Sequence, residues 1–230
     1  MFPLELITLA LLYHHDIGGR QGYNSFMLKE LPTHWFERAD NNPDEDFYIQ
    51  PRLVAHIDPE TIAALTKFYR EFIPAHADVL DLMSSWISHF PLDLVLGRVS
   101  GLGMNAQELA QNPQLTDRCV HNLNTDPNLP YETGQFDRMT LAVSIQYLTS
   151  PIQVMSSAHD KLKPGGRICI AMSHRLFPTK AIAAFQQMPT QDRVSLVTHY
   201  LQEGGFSDVE FIDQSPMAAD PLWLVVGTAN

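Results

Sequence analysis

The chain is short of cysteine, of basic charge and of long apolar runs. Two cysteines occur in 230 residues, Cys119 and Cys169, and neither belongs to a Cys-x-x-Cys or Cys/His spacing. That excludes a disulfide framework and a zinc pattern. His14, His15 and His121 form no metal-ligand spacing either, so no metal is expected. Two isolated thiols suit a reducing compartment, and the cytoplasm is the expected location. Fifteen Lys and Arg face 26 Asp and Glu, a net charge of −11. A nucleic-acid footprint needs a basic face, so a small or cationic partner is the more natural expectation. The most apolar early stretch, residues 2–13, carries Glu5, lacks a preceding basic residue and is too short to span a bilayer. It reads as a docking helix or a dispensable extension, without a membrane span. Oligomeric state is not legible.

What is present is an ordinary globular composition, 45% apolar and 18% charged. The chain divides into an N-terminal extension (1–31), a Pro-rich cap with a first helix (32–74) and a core (75–230). The first helix begins at Asp58-Pro59-Glu60, where Asp caps, Pro fills the first turn and Glu faces the dipole. Ile62, Leu65, Tyr69 and Phe72 share its inner face. Strands are expected over 79–82, 98–103, 118–123, 136–144, 167–172, 209–212 and 222–227. Helices are expected over 86–96, 105–109, 151–162, 178–187 and 190–203. The alternation predicts an α/β fold with a doubly wound, mostly parallel sheet and an antiparallel edge. Ligands bind such sheets outside the carboxyl ends of the strands. That directs attention to the turn after 79–82, where Met83-Ser84-Ser85-Trp86 stand instead of glycines.

Three further marks carry a resemblance. Leu162-Lys163-Pro164-Gly165-Gly166-Arg167 precedes the fifth strand, Leu129-Pro130-Tyr131 with Phe136-Asp137 leads into the fourth, and Gly204-Gly205-Phe206 precedes the sixth. In this order they resemble the class I S-adenosylmethionine-dependent methyltransferases over about residues 45–228. Asp81-Leu82-Met83-Ser84-Ser85-Trp86, Gly101-Leu102-Gly103-Met104-Asn105 and Ser173-His174-Arg175 resemble, more narrowly, a plant and bacterial subgroup of type 11 with a degenerate first motif. The resemblance implies a seven-stranded Rossmann-like sheet, with strand seven inserted antiparallel between five and six. It also implies S-adenosylmethionine as cofactor.

Carried onto this chain, the resemblance implies cofactor contacts from Asp81, Met83, Ser84 and Ser85 after the first strand. Gly103 and Met104 follow the second, the first standing where a ribose-binding carboxylate is usual and the second against adenine. Asn105 or Glu108 is a candidate substitute for that carboxylate. Asn122 and Leu123 follow the third strand and Ser144 the fourth. Arg52 is a clamp for a carboxylate, as guanidinium geometry allows, although a surface arginine is the plain alternative. Asp81 equally suits a role in ordering its own loop. Gln146 and Tyr147 are candidates to position an acceptor, and His174 is the candidate general base because imidazole titrates near neutrality. Two readings result. One is a methyltransferase acting on a small-molecule acceptor by in-line transfer; the other is a non-catalytic domain of the same fold acting through partners.

Overall fold

The computed structural model describes residues 31–230; the extension expected over residues 1–31 lies outside them except for Leu31. Seven strands form one sheet in the order β3-β2-β1-β4-β5-β7-β6. They are β1 (Val79–Leu82), β2 (Val99–Gly103), β3 (Asp117–Val120), β4 (Phe136–Ala142), β5 (Leu162–Met172), β6 (Ser207–Asp213) and β7 (Trp223–Thr228). β1 lies between β2 and β4, with Val79 opposite Val99 on one side and Arg138 on the other, both parallel. β7 runs antiparallel to β5 and β6. This is the seven-stranded, mostly parallel architecture expected from the sequence.

Every residue of β1 is buried. A central parallel strand is covered on both faces, which is why its sequence is apolar without alternation. One face is covered by α4 (Pro151–Lys161) and α6 (Thr190–Glu203), whose Val154, Met155, Val197 and Tyr200 join Leu80, Leu82, Met139 and Ile170. The other is covered by α2 (Pro59–Phe72), whose Leu65, Tyr69 and Phe72 pack with Val79, Val99 and Cys169. The α2 cap forms as the sequence indicates, with Asp58 Oδ1 accepting from the backbone of Thr61 at 2.9 Å. Before it, the chain from Leu31 folds over the sheet through a 3-10 turn (Thr33–Phe36) and a short helix, α1 (Asp44–Tyr48).

The structure corrects several elements. No helix forms over 86–96; the chain is irregular from Met83 to β2. Serines there bond side chains and the loop bends, with His89 at a φ of 61°, so local polar bonds win over the helical ladder. Residues 163–166, expected between the helix over 151–162 and the strand over 167–172, belong to β5 instead, with Phe136 paired to Leu162 before a register shift. The helix read over 178–187 contracts to α5 (Ala183–Gln187), β3 stops at Val120 and β4 at Ala142. The latter two leave His121–Asn124 as a loop, and Val143–Ser144 with a 3-10 turn over Ile145–Tyr147, at the carboxyl edge of the sheet.

Candidate active site

A cavity of about 340 Å³ opens at that edge, between the cap and the ends of β1, β2 and β4. Its size falls within the usual range of small-molecule sites, roughly 300–1,000 Å³. Asp81, Met83, Ser84, Ser85, Gly103, Met104, Asn122, Leu123, Ser144, Arg52 and Tyr147 all border it.

The turn after β1 is held from below. Asp81, 3% exposed, accepts from the hydroxyls of Ser84 (2.5 Å), Ser88 (2.6 Å) and Thr140 (3.2 Å). Burial raises its carboxyl to a pKa of about 6 against the three hydroxyls, which pull it down. Its oxygens thus order the loop that it begins, through side-chain hydroxyls. Met83 takes a φ of 56°, and Ser84 donates its backbone N–H to the carbonyl of Leu102 at 2.7 Å. The loop therefore leans onto the end of β2. A Cβ at Gly103 would collide with the Ser84 carbonyl oxygen, so a ribose-binding carboxylate has no room at that residue.

A carboxylate reaches the cavity from the next helix instead. Asn105 caps α3 (Ala106–Gln111) by accepting from the backbones of Gln107 and Glu108. Its amide donates to the carbonyl of Tyr48 at 2.8 Å, tying the helix start to the cap. Glu108, one turn in and 7% exposed, accepts from the Ser85 hydroxyl at 2.6 Å and from the backbone N–H of Arg52 at 2.7 Å. One buried carboxylate thus joins the β1 turn, α3 and the cap.

Arg52 sends its guanidinium over the ring of Phe47 at 4.2 Å and donates to the Phe47 carbonyl at 2.9 Å. Among the described residues no carboxylate pairs with it. Asn122 donates to Glu45 at 2.7 Å. Asn124 bonds Asp44 at 2.8 Å and the Tyr147 carbonyl at 2.9 Å. At the end of β4 the β-branched Val143 has a φ of 50°, a strained conformation of the kind that clusters at functional sites. The next residue, Ser144, has a buried hydroxyl with no hydrogen-bond partner among the described residues. Ser144 borders the cavity, so a polar group bound there could pair with it.

The three candidates for acceptor chemistry separate. Tyr147 borders the cavity, but its hydroxyl accepts from the backbone of Phe177 at 2.8 Å and its ring stacks on Phe177 at 5.7 Å. Burial holds that phenol above its ordinary pKa. Gln146 is buried beneath the rim, donating to the carbonyls of Val143 (2.9 Å) and Arg175 (3.3 Å). His174 lies off the cavity wall and is 52% exposed, its Nε2 3.0 Å from Asp220. The imidazoles that do border the cavity are His121, whose Nε2 lies 2.8 Å from the Asp126 carbonyl, and the more buried His56 and His89. Burial lowers the pKa values of His56 and His89, that of His89 to about 4.

Sequence reading missed a buried ion cluster at the cap base. Arg38 donates to both oxygens of Asp44, at 2.8 and 3.0 Å. Lys180, 1% exposed, lies 3.2 Å from both Asp40 and Asp44 and donates to the Asn42 carbonyl at 2.7 Å. No motif marks these residues: Arg38 and Asp44 lie close in sequence without a recognisable pattern, and Lys180 comes from far along the chain. Phe177, which touches Phe47, His56 and Tyr147, was missed because no local pattern joins it to them.

The residues fit a nucleoside bearing an amino-acid tail. Met83, Leu102, Met104 and Leu123 offer apolar contacts, Glu108 a carboxylate, Arg52 a cation held by backbone carbonyls and rings but by no carboxylate among the described residues, and Ser144 an unpaired hydroxyl. Comparison with known proteins gives the same direction. Residues 91–170 match the family model described as a methyltransferase domain. A tRNA U34 carboxymethyltransferase from Desulfotalea psychrophila is 27% identical over 100 residues, 40% of this chain. The match spans about a third of that curated relative, 31% of its length. An S-adenosylmethionine-dependent methyltransferase from Mesorhizobium loti superposes with a TM-score of 0.53 at 15% identity, covering 72% of this chain and 97% of that one. A SAM-dependent methyltransferase from Aquifex aeolicus gives 0.53 at 15% identity, covering 75% and 99%. The structural likenesses show the fold.

Proposed function

We propose that this chain, a member of the class I S-adenosylmethionine-dependent methyltransferase family by its fold and its matching domain, transfers a methyl group to a small-molecule acceptor. The observation that carries the reading is the arrangement of Glu108, Arg52 and Ser144 around one cavity at the carboxyl edge of β1, β2 and β4. Glu108 would hold the ribose diol, replacing the carboxylate that Gly103 cannot provide. Arg52 would take the cofactor's carboxylate, Ser144 Oγ would bond its amino-acid end, and Met104 and Leu123 would pack on adenine, with Asn122 at its edge.

When bound, the cofactor supplies an electrophilic methyl on a sulfonium. The protein's share is alignment and exclusion of water, which suffices for much of an in-line displacement. The cap performs the exclusion: Trp86 Nε1 donates to the Val54 carbonyl at 3.0 Å and Glu108 fixes Arg52. A cavity of about 340 Å³ and a net charge of −11 favour a small acceptor over nucleic acid. The tRNA in the relative's name therefore carries little weight here.

A thermal-shift titration tests the reading. S-adenosylhomocysteine at 1 mM should raise the melting temperature by several degrees, since a ligand at roughly 100 times its Kd adds about 2.7 kcal/mol. No shift at that concentration would refute it. The second reading, a non-catalytic domain acting through partners, is favoured by one observation: Asn105, Asn122 and Glu108 already hold intramolecular partners.

A further inference from the structure

The cofactor groups named above line one half of the cavity. The other half is walled by the loops after β4 and β5, with Tyr147, Arg175 and Phe177, and by His56 of the cap. An acceptor entering beside the bound cofactor meets this half.

The cations of the lining differ in how far their nitrogens are committed. Arg38 and Lys180 are spent on Asp44 and Asp40. Arg175 is differently placed. Its Nε donates to both oxygens of Asp220, at 3.0 and 2.9 Å. Asp220 is 5% exposed and its place is fixed: it accepts from the backbone of Asp58 at 3.1 Å, and its carbonyl accepts from the Thr61 hydroxyl at 2.6 Å. The guanidinium is therefore anchored through one nitrogen. Its two terminal nitrogens have no hydrogen-bond partner among the described residues, and the side chain, 56% exposed, borders the cavity. Two residues on, Phe177 presents an aromatic wall shared with Tyr147 and His56. A positioned guanidinium fork beside flat apolar walls is suited to a planar anion, because carboxylate and phosphate oxygens match the paired N–H groups.

We propose that the acceptor is an anionic, flat small molecule whose carboxylate or phosphate is held by the terminal nitrogens of Arg175, with its apolar body against Phe177. The proposal rests on the methyltransferase reading for the role of its ligand, not for the existence of the anion site. Arg175 is then the residue that sets acceptor class. The neutral amide of the same shape is rejected because it offers the guanidinium no charge.

Calorimetry with benzoate, phenyl phosphate and benzamide as probes tests this, on the protein saturated with S-adenosylhomocysteine and, in parallel, on the protein alone. The expected result is that one or both anions bind at least tenfold more tightly than benzamide. Arg175→Gln should remove that preference, Arg175→Lys should keep part of it, and near-wild-type melting temperatures should show both variants folded. The relative affinities of benzoate and phenyl phosphate identify which anion the fork prefers. Equal binding of benzamide, no binding of either anion, or an unchanged preference in Arg175→Gln would overturn the proposal. Failure of S-adenosylhomocysteine to bind would count against the methyltransferase reading alone, since the titration of the free protein still decides the anion site.

Discussion

The carbonyl of Ser84 occupies the space that any side chain at Gly103 would need. The missing ribose carboxylate is thus a consequence of how the β1 turn lies on β2, through the bond from Ser84 N–H to the Leu102 carbonyl. Putting the carboxylate back cannot repair the site. Gly103→Asp should cost about 2 kcal/mol or more by overpacking, roughly 4–8 °C in melting temperature for a domain of this size. It should also weaken cofactor binding. A variant as stable as wild type with tighter binding would show that the turn can yield.

Glu108 is the substitute acid. Removing it also releases Ser85 and the backbone of Arg52. Hydrogen bonds to charged groups contribute about 1.5–3 kcal/mol, so Glu108→Ala should weaken S-adenosylhomocysteine by roughly tenfold or more. Glu108→Gln should fall between the two. Affinity within twofold of wild type in Glu108→Ala would remove this residue from the ribose position.

Asp81 gives stability an unusual pH dependence. Its folded pKa of about 6 is above the unfolded value, about 3.9, so the folded state binds the extra proton. The stabilising contribution is full below about pH 4 and is lost as pH rises through about 6. Asp81→Asn removes the titration. Wild type should lose stability relative to this variant between pH 4 and 6, on the order of 2 kcal/mol, and run parallel to it above pH 7. Chemical denaturation at several pH values measures this; parallel profiles from pH 4 to 7 would contradict it.

The ion cluster at the cap base makes a further prediction. Asp44, 6% exposed, neutralises Arg38 and Lys180 together. Asp44→Ala leaves two nearly buried cations short of a partner, and breaking buried pairs in this way costs about 3–5 kcal/mol. Lys180→Met removes a cation and leaves the Arg38–Asp44 pair, so it should cost less. Denaturant midpoints would decide, and an Asp44→Ala change under about 1 kcal/mol would mean that the cluster is solvated.

The fold was legible where local signals and burial agree. The run Val79–Leu82 reads as a central strand because both its faces are covered, and Asp58-Pro59-Glu60 reads as a helix start because each residue suits its capping role. The loop from Met83 to β2 was misread because its helical appearance ignored the pull of Asp81 on Ser84 and Ser88, a tertiary fact. The cofactor half of the cavity was legible through the resemblance, since those residues follow strands in a known order. The acceptor half was not. Nothing local distinguishes His174, which lies off the cavity wall, from Arg175 beside it on that wall, both of them paired with Asp220. Lys180 reaches Asp40 and Asp44 only because the cap lies against the segment after β5.

The most direct test of the account is a calorimetric titration of wild type and Glu108→Ala with S-adenosylhomocysteine under identical conditions. The account predicts one site per chain in wild type, at micromolar affinity, and at least tenfold weaker binding in the variant. No heat in wild type with the ligand at millimolar concentration would contradict it.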